Sequence, residues 1–149
     1  MIKYKITSRY LEQEGFRNRP HTGIDFKMNS GTELRAISDG TIHVKNFGNY
    51  NAGKTVIIED ENGRSFIYGH LSQFKVHEGQ HVDKGDLIGL SGNSGHSFGN
   101  HLHFGVKENG HFLDPSKYID QIQNMNTPHW LANHVGSVKE KAFSFSDWF

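Results

Sequence analysis

The sequence predicts an all-β domain followed by one short helix. Between Ile24 and Val106, glycines recur every few residues between short β-branched and aromatic runs. This is the pattern of strands joined by tight turns, and helical periodicity is absent there. Two Asn-Gly pairs, within residues 60–63 and 108–110, favour hairpin turns because both residue types readily adopt the positive φ that such turns need.

Seven segments have the composition expected of strands. Each is short, rich in β-branched or aromatic residues, and bounded by turn-forming residues. Because side chains alternate between the two faces of a strand, residues two apart share a face. The predicted strands are Ile24–Phe26, Glu33–Ala36, Thr41–Phe47, Thr55–Asp60, Ser65–Leu71, Asp86–Leu90 and His101–Lys107.

The end of the chain differs in character. After Pro115, apolar residues at 118, 119 and 122 follow helical spacing, which predicts one short amphipathic helix within residues 116–125. We therefore expect one domain over residues 1–125 and an aromatic-rich tail over residues 126–149. The tail is expected either to dock on a partner surface or to pack on the outside of the same domain.

Length and charge limit the classes of function. The chain has 149 residues, 16 basic and 16 acidic side chains, and no cysteine. This length suits one domain of roughly 150 residues. Without a basic excess or stripe, we expect no nucleic-acid partner. The absence of cysteine excludes a thiolate metal site, so any metal would be bound by histidine and carboxylate.

Neither the start of the chain nor the rest of its length has the pattern of a targeting or membrane-spanning segment. A secretory signal needs about 7–15 apolar residues after a basic stretch, and residues 1–16 contain no such run. The longest apolar stretches are also far shorter than the roughly 20 residues that span a bilayer. We expect no signal peptide and no membrane span in this chain, and therefore either delivery by other machinery or membership in a larger protein.

Histidine is the unusual residue type, with 11 in 149 residues, and this frequency suggests metal chemistry. Three motifs contain candidate site residues: HTGID at 21–25, YGHLS at 68–72 and HLH at 101–103. In extended chain, His21 can converge with Asp25, and His101 shares a face with His103. The two pairs can therefore face one pocket.

A catalytic zinc site takes three protein ligands and leaves one position for water. His21, Asp25 and one of His101 and His103 would supply two imidazoles and a carboxylate. The other histidine of that pair, together with His70, would accept a proton from the bound water or stabilise the developing oxyanion. Spacing alone leaves open which member of the pair binds the metal.

The joint pattern resembles the M23 family of zinc metallopeptidases, the lysostaphin-like peptidoglycan endopeptidases. The similar segments lie in family order within residues 17–112, and they are HTGIDF, ISDGTI, YGHLS, VHEGQHVDKGDLIGLSGNSGHS and GNHLHF. The resemblance implies antiparallel sheets that form an open groove walled by loops. It also implies hydrolysis of peptide bonds in peptidoglycan stems or cross-bridges, at either glycine–glycine bonds or the D-alanyl cross-link.

The resemblance also implies a role for each matching residue. His21 and Asp25 match the family's first two zinc ligands, and His103 matches the third. His70 and His101 match its two catalytic histidines. The implied cofactor is one Zn²⁺ and the implied partner is a peptidoglycan peptide.

Substrate contacts are expected from three further residues. Asn49 and Tyr50, followed by Gly53, are similar to the Asn-Tyr-Gly loop beside the groove of the lysostaphin-like branch. That branch also has a tyrosine shortly before the first ligand, whereas residues 15–20 contain none. We expect Tyr68 or Tyr50 to take over its support of the oxyanion.

The alternative is a catalytically inactive M23-like module that binds cell wall or serves in assembly. Inactive members usually lose a ligand or a catalytic histidine, whereas all five positions are filled here, which favours an enzyme. Its site of action is expected to be the bacterial cell wall, outside the cytoplasm. Because no signal peptide is expected, we expect a phage or mobile-element origin.

Overall fold

The computed structural model describes residues 4–10, 22–48, 52–95 and 99–127. In these ranges the chain forms ten strands, a 3₁₀ turn (Pro115–Tyr118) and one short helix, α1 (Ile119–Gln123). The strands are β1 (Ile6–Ser8), β2 (Ile24–Lys27), β3 (Glu33–Arg35), β4 (Gly40–Asn46), β5 (Lys54–Glu59), β6 (Arg64–Phe74), β7 (His81–Val82), β8 (Leu87–Ser91), β9 (His101–Glu108) and β10 (His111–Leu113).

The strands form one antiparallel sheet system with the order β1-β2-β9-β6-β5-β4-β7. The long strand β6 pairs with β9 over its first half and with β8 over its second half. Strand β8 in turn pairs with β3, and β10 pairs with the end of β9. The prediction of an all-β, antiparallel fold with a short C-terminal helix is confirmed.

All seven predicted strands occur, with ends that differ by at most three residues. The Asn-Gly hairpin between β9 and β10 is also confirmed, since Asn109 and Gly110 have φ values of 53° and 81°. Strands β1, β7 and β10 were not predicted, and they have only two or three residues each. The predicted helix begins as the 3₁₀ turn, where Asp114 accepts a hydrogen bond from the Ser116 N–H.

Alternation along β2 and β9 separates the core from a polar face. Ile24 pairs with Phe104 and Phe26 with Leu102, and all four side chains are fully buried in the core. Between them, Asp25 lies directly opposite His103. The same pair of strands therefore supplies apolar side chains to one face and ionisable side chains to the other.

Helix α1 packs on the core and contacts the start of the described chain. Ile122 is fully buried in the core, and the next residue, Gln123, binds the start of the chain with its side-chain amide. Its Oε1 accepts a hydrogen bond from the Tyr4 N–H and its Nε2 donates one to the Tyr4 carbonyl, both at 2.8 Å. Asn126 donates to the Glu33 carbonyl at 2.8 Å.

The boundary between the domain and the tail, at residues 125 and 126, stays a prediction. Residues 126 and 127, the first of the predicted tail, are described, and Asn126 contacts the domain. Residues 128–149 lie outside the described part of the chain, so docking of the tail stays a prediction. In the ranges that the structure describes, no helix is both long and apolar enough to cross a membrane.

Candidate active site

Four of the predicted site residues lie together on the polar face. Asp25 is on β2, His101 and His103 are on β9, and His70 is on β6. Asp25 Oδ1 lies 3.1 Å from His103 Nδ1 and 3.7 Å from His101 Nε2. The ring of His70 lies 4.5 Å from that of His101 and 6.1 Å from that of His103, between centroids.

The pair formed by Asp25 and His103 fits shared coordination of one zinc ion. In tetrahedral coordination, two ligand atoms with zinc–ligand bonds of about 2.0–2.1 Å lie roughly 3.3 Å apart. The 3.1 Å between Asp25 Oδ1 and His103 Nδ1 is close to that value. Among the described residues, no three His, Cys, Asp or Glu side chains are arranged so that together they could hold a metal ion. The third predicted ligand, His21, lies outside the described residues.

Gly23 leaves the space that the ring of His103 occupies. A Cβ atom at Gly23 would lie 2.8 Å from Cε1 and 2.9 Å from Nε2 of that ring, and closer still to the Phe104 carbonyl oxygen. Contacts below 3.0 Å require one group to shift, and a β-sheet backbone shifts less easily than a ring. The absence of a side chain in the middle of HTGID therefore lets His103 turn its Nδ1 towards Asp25.

We expect Gly23→Ala to weaken zinc binding by about 10- to 100-fold, as when a group that orients a metal ligand is lost. The measurement is competition with a chelator of known affinity. Gly105→Ala is the matched control, because its added Cβ would lie 3.5 Å from the Thr22 carbonyl and 3.8 Å from His103 Nε2, both ordinary contact distances. Equal zinc affinities for the two variants would refute this role of Gly23.

The ring of His70 has a fixed protonation pattern. Its Nδ1 lies 2.6 Å from the Ser94 carbonyl oxygen, and a carbonyl only accepts hydrogen bonds, so Nδ1 carries the proton. Burial, reinforced by the nearby His101 and His103 and partly offset by the Ser94 hydrogen bond, lowers the pKa of His70 to about 4. At neutral pH the ring is therefore uncharged, with Nε2 as its acceptor nitrogen.

His101 has the same tautomer for the same reason. Its Nδ1 lies 2.9 Å from the Gly99 carbonyl oxygen, so in the neutral ring Nδ1 is the donor and Nε2 the acceptor. Nε2 points towards Asp25. The two rings therefore share one arrangement, in which Nδ1 is held by a backbone carbonyl and Nε2 faces the site.

Tyr68 lies on the core face, not in the site. It pairs with Phe104 across β6 and β9, with ring centroids 5.6 Å apart, and it is fully buried. Its hydroxyl donates to the Arg35 carbonyl at 3.0 Å and accepts from the Ile37 N–H at 3.1 Å. This position contradicts the predicted contact between Tyr68 and substrate.

The backbone at His70 explains why Tyr68 and His70 face opposite sides although they are two residues apart. The φ of His70 is +66°, a left-handed conformation that interrupts the alternation of side chains. Strand β6 pairs with β9 as far as Gly69 and with β8 from Leu71 onward. The shift places Leu71, rather than His70, back in the core.

We expect His70→Gly to be more stable than His70→Ala by about 1 kcal/mol, since a left-handed residue with a Cβ costs roughly 1–2 kcal/mol. Both variants delete the ring, so their difference isolates the backbone term. Urea unfolding of the two proteins measures it. If alanine is the more stable, as is usual within strands, then backbone strain at position 70 is absent.

The structure leaves three predicted site residues undescribed. His21, Asn49 and Tyr50 lie outside the described ranges, and their roles stay predictions. Sequence reasoning missed Gly23 as a support for His103 and Ser94 as a partner of His70. The glycine in HTGID was a signal for the first, but the contact with Ser94 joins residues 24 apart and no local pattern indicates it.

Comparison with protein families matches residues 19–115 to Peptidase family M23. The chain belongs to this family. All four clustered side chains lie within the matched range, and so does the complete ladder of β2, β9 and β6 that positions them.

Curated relatives of this M23 domain carry different activities in their names. The glycyl-glycine endopeptidase ALE-1 of Staphylococcus capitis is 43% identical over 91 residues, 60% of this chain and 25% of that protein. The DD-carboxypeptidase/endopeptidase Mpg of Neisseria meningitidis is 43% identical over 122 residues, 76% of this chain and 28% of that protein. The matches thus span about a quarter of each relative's length.

A solved structure agrees with this architecture. The catalytic domain of the antimicrobial peptidase lysostaphin from Staphylococcus simulans matches with a TM-score of 0.69 and 32% identity. The match covers 80% of this chain and 92% of that domain. The M23 domain described here therefore has a lysostaphin-like fold.

Proposed function

We propose that this chain is a zinc-dependent endopeptidase that hydrolyses peptide bonds in the stems or cross-bridges of bacterial peptidoglycan. The observation that supports it most is the cluster of Asp25, His70, His101 and His103 on one face of an M23 domain. A binding or assembly module has no need for imidazoles grouped beside a carboxylate that fits a metal. Its proposed place of action is the cell wall, outside the cytoplasm.

The proposed ligands are His21, Asp25 and His103. When bound, zinc lowers the pKa of a coordinated water to about 7 and polarises a carbonyl. The orientation of the His103 ring suits this assignment, because its Nδ1 faces Asp25 Oδ1 at 3.1 Å and zinc would take the place of the Nδ1 proton. The carboxylate of Asp25 also partly offsets the charge of a cation held between these two side chains.

His70 and His101 would transfer protons during the reaction. Each holds its Nδ1–H on a backbone carbonyl and leaves Nε2 as an acceptor. An imidazole of this kind takes a proton from the attacking water and, once charged, donates it to the leaving amine. The other ring, when protonated, stabilises negative charge on the carbonyl oxygen. We assign these two roles to the pair and do not divide them between His70 and His101.

Asn49 and Tyr50 are proposed to bind the substrate peptide. The support for this is their similarity to a family loop beside the groove, and it does not extend to Tyr68. The names of the relatives include a glycyl-glycine endopeptidase and a DD-carboxypeptidase/endopeptidase, so the candidate bonds stay the glycine–glycine bond and the D-alanyl cross-link. Both are amide bonds with no bulky side chain on at least one flank, so the same proton chemistry serves either.

The test is digestion of purified sacculi, one type with glycine bridges and one with direct cross-links, with and without a chelator. Mass spectrometry of the new amino termini identifies the bond that was cut. We expect cleavage of at least one wall type, loss of cleavage with chelator, and recovery on adding zinc. Cleavage that survives complete metal removal would refute zinc dependence.

A zinc-loaded protein that cuts neither wall, yet sediments with sacculi, would instead support the inactive wall-binding module. His77→Ala, a substitution at an exposed turn residue, is the control. It shows whether removing a histidine outside the cluster affects wall binding.

A further inference from the structure

Ser94 binds both the side chain of His70 and the backbone of the residue that follows it. Its carbonyl oxygen accepts the His70 Nδ1–H at 2.6 Å. Its hydroxyl donates to the carbonyl of the next residue, Leu71, at 2.5 Å, and accepts from the Lys54 N–H at 3.0 Å. One serine thus joins the ring of His70, the backbone of β6 and the first residue of β5.

The segment before β5 completes this support. The His70 N–H donates to the Ala52 carbonyl at 2.6 Å. At the next residue, Gly53, a Cβ would lie 2.7 Å from Ser94 Oγ and closer still to the backbone of Gly95. Residues 52–54 therefore pack against Ser94 without space for a side chain between them.

Such support is needed for two physical reasons. A left-handed φ at a residue with a side chain persists only where neighbouring contacts hold it. A neutral imidazole also exists as two tautomers, and only the one protonated at Nδ1 leaves Nε2 able to accept a proton. The Ser94 carbonyl selects that tautomer, provided that it stays where the ring can reach it.

We propose that Ser94 is a positioning residue, whose hydroxyl anchors its own carbonyl so that His70 keeps one tautomer and one ring orientation. The catalytic consequence rests on the proposed function, whereas the effect on the tautomer does not. A substitution at position 94 keeps the backbone acceptor and removes only its anchorage to Leu71 and Lys54. The effect of Ser94 on chemistry is then transmitted through His70.

The test is ¹⁵N NMR of histidine side chains in the zinc-loaded protein, with the His70 signals identified by their loss in His70→Gln. We expect the parent protein to show the Nδ1–H tautomer alone and Ser94→Ala to show a mixture of both tautomers. On a wall type that the parent cleaves, kcat should fall by about 10- to 100-fold, with KM nearly unchanged.

Two variants provide controls. Ser72→Ala removes a neighbouring hydroxyl that donates to the Ser91 carbonyl at 2.8 Å, and it should leave both the tautomer and kcat unchanged. Ser94→Thr keeps a hydroxyl and should restore the single tautomer. If Ser94→Ala fails to fold, Ser94→Cys, which nearly preserves volume but donates weakly, should show the same tautomer mixture.

A single Nδ1–H tautomer in a folded Ser94→Ala or Ser94→Cys protein overturns the proposal, whatever the rate. A mixed tautomer after Ser72→Ala also overturns it, since the effect would then be general to this part of the sheet. An inactive parent protein with the expected NMR results would overturn the proposed function alone and leave the structural role of Ser94 established.

Discussion

His103→Ala is expected to release zinc and to lower the rate of wall cleavage by about 10³-fold or more. A metal that polarises the scissile carbonyl supplies several kcal/mol of transition-state stabilisation, and each 1.36 kcal/mol corresponds to about tenfold in rate. The variant loses the proposed zinc-ligand atom Nδ1, which lies 3.1 Å from Asp25 Oδ1. Metal content after dialysis and the rate of release of new amino termini are the measurements.

The matched control for this substitution is His77→Ala, at a histidine exposed in the turn before β7. It should keep one zinc per chain and the parent rate. A His103→Ala protein that retains stoichiometric zinc and cleaves at the parent rate would remove His103 from the ligand set.

Loss of His101 should give a different result, in which the protein keeps its zinc but cleaves slowly. We expect His101→Ala to retain zinc while kcat falls by about 10²- to 10⁴-fold, the range that general acid–base groups contribute. His101 Nε2 lies 3.7 Å from Asp25 Oδ1, whereas His103 Nδ1 lies 3.1 Å from it, in keeping with the different roles proposed for them. Zinc content and single-substrate kinetics on sacculi separate the two effects.

If His101→Ala instead loses its zinc together with its activity, His101 is a ligand and the assignment within the HLH motif must be reversed. If neither the parent protein nor the variants cleave sacculi while all of them still bind, a wall-binding module accounts for the chain better than an enzyme does.

Most of the fold could be predicted because its signals are local. Strands such as β2 and β9 alternate between apolar and polar residues, and the Asn-Gly pair after β9 forces a reversal of the chain through two positive φ values. The missed strands have two or three residues. In so short a segment, pairing with a neighbour decides the conformation, and composition carries too little information.

The site was predictable where it follows alternation and unpredictable where it depends on contacts between distant segments. His101 and His103 share a face because they are two apart in a regular strand. The same rule failed for Tyr68 and His70, since His70 takes a positive φ at the point where β6 changes its partner from β9 to β8. The contact of His70 with Ser94 exists only in the folded chain.

The amide of Gln123 has a consequence for association between molecules. The Lys5 carbonyl of the first segment accepts from the Lys27 N–H of β2, so the N–H and carbonyl of the preceding Tyr4 point away from the sheet. These outward groups are those to which another chain could add a strand, and in this protein both are bound by Gln123. One side chain thus withholds the backbone groups of Tyr4, just before β1, from the edge-to-edge pairing that natural sheet proteins commonly avoid.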